Sequence, residues 1–132
     1  MMNPESNPSA TPFELLGGET KVRELVDRFY DYMDSLEEVK PLRLLHAKSL
    51  KSSREKLFLF LCGWLGGPDL YIQQYGHPRL RQRHMPFSIG QSEAEQWLLC
   101  MEKAMDDMGI KGGLRIHLSH AFAKTAQFMS KQ

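Results

Sequence analysis

The 132-residue sequence predicts an all-α domain. Three observations carry that expectation. Apolar residues recur three and four positions apart over long segments, no segment alternates with the period of two that a half-buried strand needs, and Gly or Pro punctuates the ends of the stripes. There is no internal repeat, and the length suits one domain with a core and room for a cofactor.

Residues 1–11 are rich in Asn, Pro and Ser and have almost nothing to bury, so a disordered tail is expected there, with a single domain over 12–132. Pro12 opens a short helix that Gly17 and Gly18 end. From Glu19, the residues Val22, Leu25, Val26, Phe29, Met33 and Leu36 make one stripe along a helix, broken by Pro41. Ser52 or Ser53 can cap the next helix. Its stretch from Leu57 to Leu65 is apolar on nearly every side, which predicts burial all round: core on one face and a flat hydrophobic cofactor on the other. Gly66-Gly67-Pro68 stops that helix, and Asp69 to Gln74 reads as a loop or frayed turn. After Pro86 come two overlapping capping boxes, Ser88-x-x-Gln91 and Ser92-x-x-Glu95. They launch a helix carrying Trp97, Leu98, Met101, Ala104, Met105 and Met108 that ends near Gly109. Beyond Gly112-Gly113 a last helix presents Leu114, Leu118, Phe122, Thr125, Ala126 and Met129.

Composition narrows the function. A formal net charge of +1 argues against a general nucleic-acid or membrane binder, since both want a large basic excess. No apolar run reaches the roughly 18 residues needed to cross a bilayer, and no charged start precedes an apolar leader. Cys62 and Cys100 lie far apart in apolar surroundings, which suits two free buried thiols in a reducing compartment, so a cytoplasmic location is expected.

The segment Tyr75-Gly76-His77-Pro78-Arg79-Leu80-Arg81-Gln82-Arg83-His84-Met85-Pro86-Phe87 carries the chemistry. It sets two histidines and three arginines just ahead of a break at Pro86. An imidazole there suits haem iron, with guanidinium groups near enough to pair with haem carboxylates. Two other readings compete. A cofactor-free basic helical module would use the arginines on an acidic partner, but alternate positions spread around a helix instead of lining one face. A zinc site from His77 and His84 lacks two further ligands at suitable spacing.

With Gly17-Gly18 upstream and Gly66-Gly67-Pro68 between, the run His-Pro-Arg-Leu-Arg-x-Arg-His-x-Pro-Phe resembles the truncated haemoglobins of the second group, over about Phe13 to Met129. The resemblance implies a shortened globin fold, a two-over-two helical sandwich enclosing haem b. It implies His84 as proximal iron ligand, and Tyr30, His46 and Trp97 as hydrogen-bond donors in the distal pocket. Ser53 would stand where many globins have a distal histidine, with Leu57 on the same helix face. Phe29, Phe60, Leu61, Leu80, Met85 and Phe87 would wall the haem. Lys56, Tyr71, His77 and Arg83 would serve its propionates. Taken alone, Tyr30 and Trp97 are ordinary core residues; the family order gives them their roles. The implied function is reversible binding of dioxygen, and of carbon monoxide and nitric oxide, by a monomer or homodimer. Nitric oxide dioxygenase or peroxidase chemistry is the enzymatic alternative, and with no flavin or nicotinamide motif present it would need a separate electron-donating reductase.

Overall fold

The computed structural model describes residues 10–76 and 90–130, and every regular element among them is helical. Helix α1 spans Pro12–Leu16, with Pro at its first position. Thr11 caps it through a reciprocal pair: the Thr11 hydroxyl accepts from the Glu14 N–H at 3.2 Å, and the Glu14 carboxylate accepts from the Thr11 N–H at 3.0 Å. Residues 1–9 of the expected tail lie outside the described residues. Helix α2, Glu19–Ser35, buries Val22, Leu25, Val26, Phe29, Tyr30 and Met33, which is the predicted stripe.

The stripe does not run on to Pro41. Leu36 is extended, a 3₁₀ turn covers Glu37–Val39, and Pro41 lies in the first turn of helix α3, Lys40–Leu44. Pro41 therefore opens an element instead of closing one, as a residue whose missing N–H falls among the helix's unpaired donors can do. Helix α4, Lys51–Trp64, begins before Ser52 and Ser53, so neither caps it; the Ser49 hydroxyl accepts from the Lys51 N–H at 3.3 Å instead. Every residue from Leu57 to Leu65 is buried or half-buried, as its composition demanded.

The turn after α4 holds α1. The Phe13 N–H donates to the Leu65 carbonyl at 2.9 Å, and a Cβ on Gly67 would sit 2.6 Å from the Phe13 ring. Only glycine permits that approach, so the Gly-Gly-Pro break both ends α4 and seats α1. Asp69 to Gln74 is not a loop: helix α5 covers Leu70–Tyr75 and buries Tyr71. The second capping box is also displaced. Helix α6, Gln91–Asp107, is capped at Gly90, whose N–H donates to the Glu93 carboxylate at 2.8 Å, while Ser92 lies inside the first turn. Ser88 lies outside the described residues.

Helix α6 ends at Asp107, and Gly109 turns the chain with a φ of 68°. Helix α7 follows over Gly112–Ser130. Arg115 closes this corner, donating to the Glu102 carboxylate at 2.7 Å and the Ile110 carbonyl at 3.0 Å. Helix α2 packs on α4, α6 packs on α7, and the first pair lies on the second chiefly through α2 against α6. The result is two helices over two. Their shared core is apolar, with Phe29, Leu25, Met33, Leu61, Met101, Met105, Leu118 and Phe122 all under 2% exposed.

Candidate functional site

Helix α2 carries Tyr30 into the space between α4 and α3. The side chain is only 6% exposed, and burial pushes the phenol up, against the opposing pull of Arg54 and a hydrogen bond with Ser53. It is therefore a neutral O–H throughout the ordinary pH range. Arg54, one turn into α4, lies 5.8 Å from the Tyr30 ring centre and is itself anchored to α2 through Asp27 at 3.2 Å and Asp31 at 2.8 Å. Sequence reading missed Arg54. Its signal was the pairing of a lone Arg on α4 with two carboxylates four residues apart on α2.

His46 reaches Tyr30 from the turn after α3, with ring centroids 6.1 Å apart and edge-on. Its Nδ1 lies 3.0 Å from the Leu42 carbonyl oxygen. A carbonyl only accepts, so Nδ1 carries the proton in that bond. The Leu42 N–H in turn donates to the Gln96 side-chain oxygen at 3.0 Å, and the Gln96 amide donates to the Ser92 hydroxyl at 3.0 Å. Helix α6 thus fixes the orientation of His46 through the backbone of Leu42. Gln96 is a second residue absent from the sequence reading, because an amide beside a tryptophan carries no motif.

Trp97 follows Gln96 on α6. Its indole packs on Phe29 at 5.2 Å, and Phe29 packs edge-on against Tyr30 at 4.9 Å. Phe29 is fully buried, so two of the three expected distal donors are joined through a core phenyl ring and the third touches Tyr30 directly. Ser53, Leu57, Phe60 and Trp64 lie along one side of α4 at helical spacing, and all four are only half-buried, whereas Phe58, Leu61 and Cys62 on the same helix are buried. Leu61, one of the expected walls, is 1% exposed, as a wall and an ordinary core residue both would be.

Lys56 is exposed, with its Nζ 5.5 Å from the Tyr75 ring centre, and Tyr75 packs on buried Tyr71 at 5.0 Å. The two expected propionate residues thus meet around a third residue, the aromatic Tyr75. His77, Leu80, Arg83, His84, Met85 and Phe87 lie outside the described residues. Burial pushes the thiols of Cys62 and Cys100 up to about 11, so neither is a ready nucleophile. A polar cleft of about 430 Å³ lies on the outer side of α2 and α4, among Arg23, Asp27, Asp34, Arg43 and Arg54. Ion pairs consume most of its charge.

These residues suit a flat apolar ligand. The ridge of Leu57, Phe60 and Trp64, left half-covered beside a sealed core, offers it a wall. Among the described residues no three His, Cys, Asp or Glu side chains converge to hold a bare ion. A porphyrin brings four ligands of its own and asks the chain for one.

A two-over-two helical bundle with an aromatic ridge and a buried phenol beside an imidazole is the frame of a truncated globin. The comparisons agree with this assignment. The model of the bacterial-like globins matches residues 11–131, and the chain belongs to that family, among its group II truncated haemoglobins. It is 40% identical over 121 residues to group 2 truncated hemoglobin YjbI of Bacillus subtilis (strain 168), covering 92% of this chain and 89% of that one. The cold-adapted truncated hemoglobin of Pseudoalteromonas haloplanktis TAC125 superposes with a TM-score of 0.89 at 45% identity, over 92% of this chain and 98% of the other. The group II 2-on-2 hemoglobin of Agrobacterium tumefaciens gives a TM-score of 0.89 at 39% identity, over 96% and 98% of the two chains. Membership implies haem binding and is consistent with binding of diatomic gases. No helix among the described residues is long and apolar enough to cross a membrane.

Proposed function

We propose that this chain holds haem b with His84 as the proximal ligand and reversibly binds dioxygen on the side lined by Tyr30, His46 and Trp97. Bound haem supplies the iron that takes the gas; the chain supplies the pocket and the hydrogen bonds. Carbon monoxide and nitric oxide would enter the same pocket. Lys56, Tyr71, His77 and Arg83 would meet the propionates, and the exposed ammonium of Lys56 beside Tyr75 suits that task. The domain over 12–132 would work in a reducing cytoplasm, where Cys62 and Cys100 stay thiols.

The observation that carries this reading is Tyr30. A phenol that burial keeps protonated, and that Arg54 and Ser53 restrain, is a preorganised donor for the negative charge an iron-bound dioxygen develops. The purified protein should be red, with an intense absorption band at roughly 400–430 nm, as iron porphyrins have. His84→Gly should lose the haem on gel filtration. A colourless wild-type protein that takes up no added haem would overturn the proposal.

A second reading has an observation of its own. Oxidisable rings run outward from Tyr30, which favours reduction of peroxides over storage alone. Either a peroxidase or a nitric oxide dioxygenase cycle would draw electrons from a separate donor.

A further inference from the structure

Among the described residues, the aromatic contacts join into one unbranched series. From the surface inward it runs Tyr75, Tyr71, Phe60, Trp64, Phe122, Trp97, Phe29, Tyr30 and His46. Successive centroids lie 5.0, 6.1, 6.2, 5.1, 5.7, 5.2, 4.9 and 6.1 Å apart. From Tyr71 to Tyr30 the order alternates: an oxidisable ring, then a phenyl, then an oxidisable ring. Five helices contribute to it, so no local sequence pattern produces the order. Tyr30 is buried, His46 beyond it is half-buried, and the outer end is Tyr75, which is 38% exposed.

Core packing alone accounts for aromatic rings in contact. It does not by itself explain why phenol and indole rings lie one phenyl apart from Tyr71 to Tyr30. Phenyl is much harder to oxidise than indole or phenol, so it bridges a transfer and never holds the charge. Each phenol or indole is a station, and each transfer between stations from Tyr71 inward crosses a single ring.

We propose that this series conducts electrons inward from Tyr75 to the distal pocket when a hydroperoxide is reduced there, which rests on the haem-pocket reading above. Reduction of a hydroperoxide breaks its O–O bond and takes up two electrons and two protons, giving an alcohol (or water) and a water molecule. Electrons pass one at a time from Tyr71, Trp64, Trp97 and Tyr30, each refilled from the station outside it; each phenol passes its proton to a hydrogen-bond partner as it loses the electron and recovers it when refilled, so no net proton is lost at the inner stations. At the outer end Tyr75 gives up one electron and releases its phenolic proton to solvent, leaving a neutral phenoxyl radical. An enediol or phenolic reductant restores it with one electron and one proton. Two such cycles, oxidising two reductant molecules by one electron each, balance one hydroperoxide. The exposed ring of Tyr75 is where that reductant would dock, and no flavin or nicotinamide is required.

The test uses the haem-loaded protein, hydrogen peroxide and a nitroso spin trap, with peptide mapping of the trapped radicals. Tyr75 should be labelled in the wild type. Trp64→Phe removes the central station while keeping an aromatic ring, and should abolish Tyr75 labelling and leave the radical on Trp97 or Tyr30. Trp64→Tyr restores an oxidisable ring and should restore the label. Because Trp64 also lies on the half-covered ridge, haem content is measured in each variant and labelling is compared per haem-loaded molecule. Equal Tyr75 labelling in wild type and Trp64→Phe would overturn the relay, and so would loss of the label in both variants, which would mark Trp64 as mere packing. Failure to bind haem at all would instead remove the reading on which the relay rests.

Discussion

At the scale of single residues, the distal chemistry depends on which protons are already committed. Tyr30 is a neutral phenol because its burial opposes ionisation, and Arg54 lies 5.8 Å from its ring centre, so its O–H is available for the proposed donor role. Replacing it with Phe should speed dioxygen release by roughly 5- to 150-fold, the equivalent of ~1–3 kcal/mol for a hydrogen bond to a charged acceptor. Stopped-flow displacement by carbon monoxide measures this, and an unchanged rate would deny Tyr30 its role. His46 behaves differently. Its Nδ1 proton is spent on the Leu42 carbonyl, so in the neutral ring Nε2 is an acceptor. It can donate to a bound gas only as the imidazolium. His46→Leu should therefore change dioxygen release far less than Tyr30→Phe does in the same displacement experiment. An equal or larger acceleration would mean that the His46 ring donates to the bound gas.

At the scale of elements, α3 and α6 are coupled by one amide. Gln96 satisfies the Leu42 N–H, and Leu42 in turn orients His46. Gln96→Leu leaves that N–H without its partner and should cost ~1–3 kcal/mol in chemical denaturation, the usual penalty for an orphaned half-buried donor. It should also loosen the His46 ring and so shift the dioxygen release rate. Loss of stability with an unchanged release rate would separate the two functions. Such couplings explain what the sequence revealed and what it hid. The stripe of α2 and the all-round burial of Leu57 to Leu65 were legible because periodicity reports burial directly. Tyr30, His46 and Trp97 were picked out by a family's order of residues, and that Phe29 joins Tyr30 to Trp97 while His46 meets Tyr30 followed only from the fold. Helix α5 was hidden. Six residues cannot nucleate a helix alone, and Leu70–Tyr75 is held by Tyr71 packing on Phe60 of α4. The start of α6 was misplaced because Ser92 and Glu95 fit a capping pattern as well as Gly90 and Glu93 do, and local sequence does not rank the two. Arg54 and Gln96 escaped notice because their meaning lies in partners 23 to 54 residues away.

At the scale of the whole molecule, the bundle is sealed on one side and open-handed on the other. Core residues shared by α2, α6 and α7 are excluded from water, while Leu57, Phe60, Trp64 and Trp97 keep part of their apolar surface uncovered. A chain that leaves aromatic surface half-wet forgoes about 25 cal/mol for each Å2 not buried, and recovers it when a ligand covers the ridge. Folding and haem binding should consequently be linked. A ligand present at a thousandfold excess over its dissociation constant, and bound only by the folded form, stabilises by ~4 kcal/mol. For a domain of this size that corresponds to a rise of roughly 10–20 °C in melting temperature. Differential scanning calorimetry of the haem-free and haem-loaded proteins would read it, with the haem-free form melting lower and less cooperatively. Phe60→Ala supplies the control: it removes part of the ridge, so it should shrink the gap between the two melting temperatures more than it lowers the haem-free one. If the haem-free and haem-loaded proteins melt together, the half-covered ridge is not where the porphyrin lies.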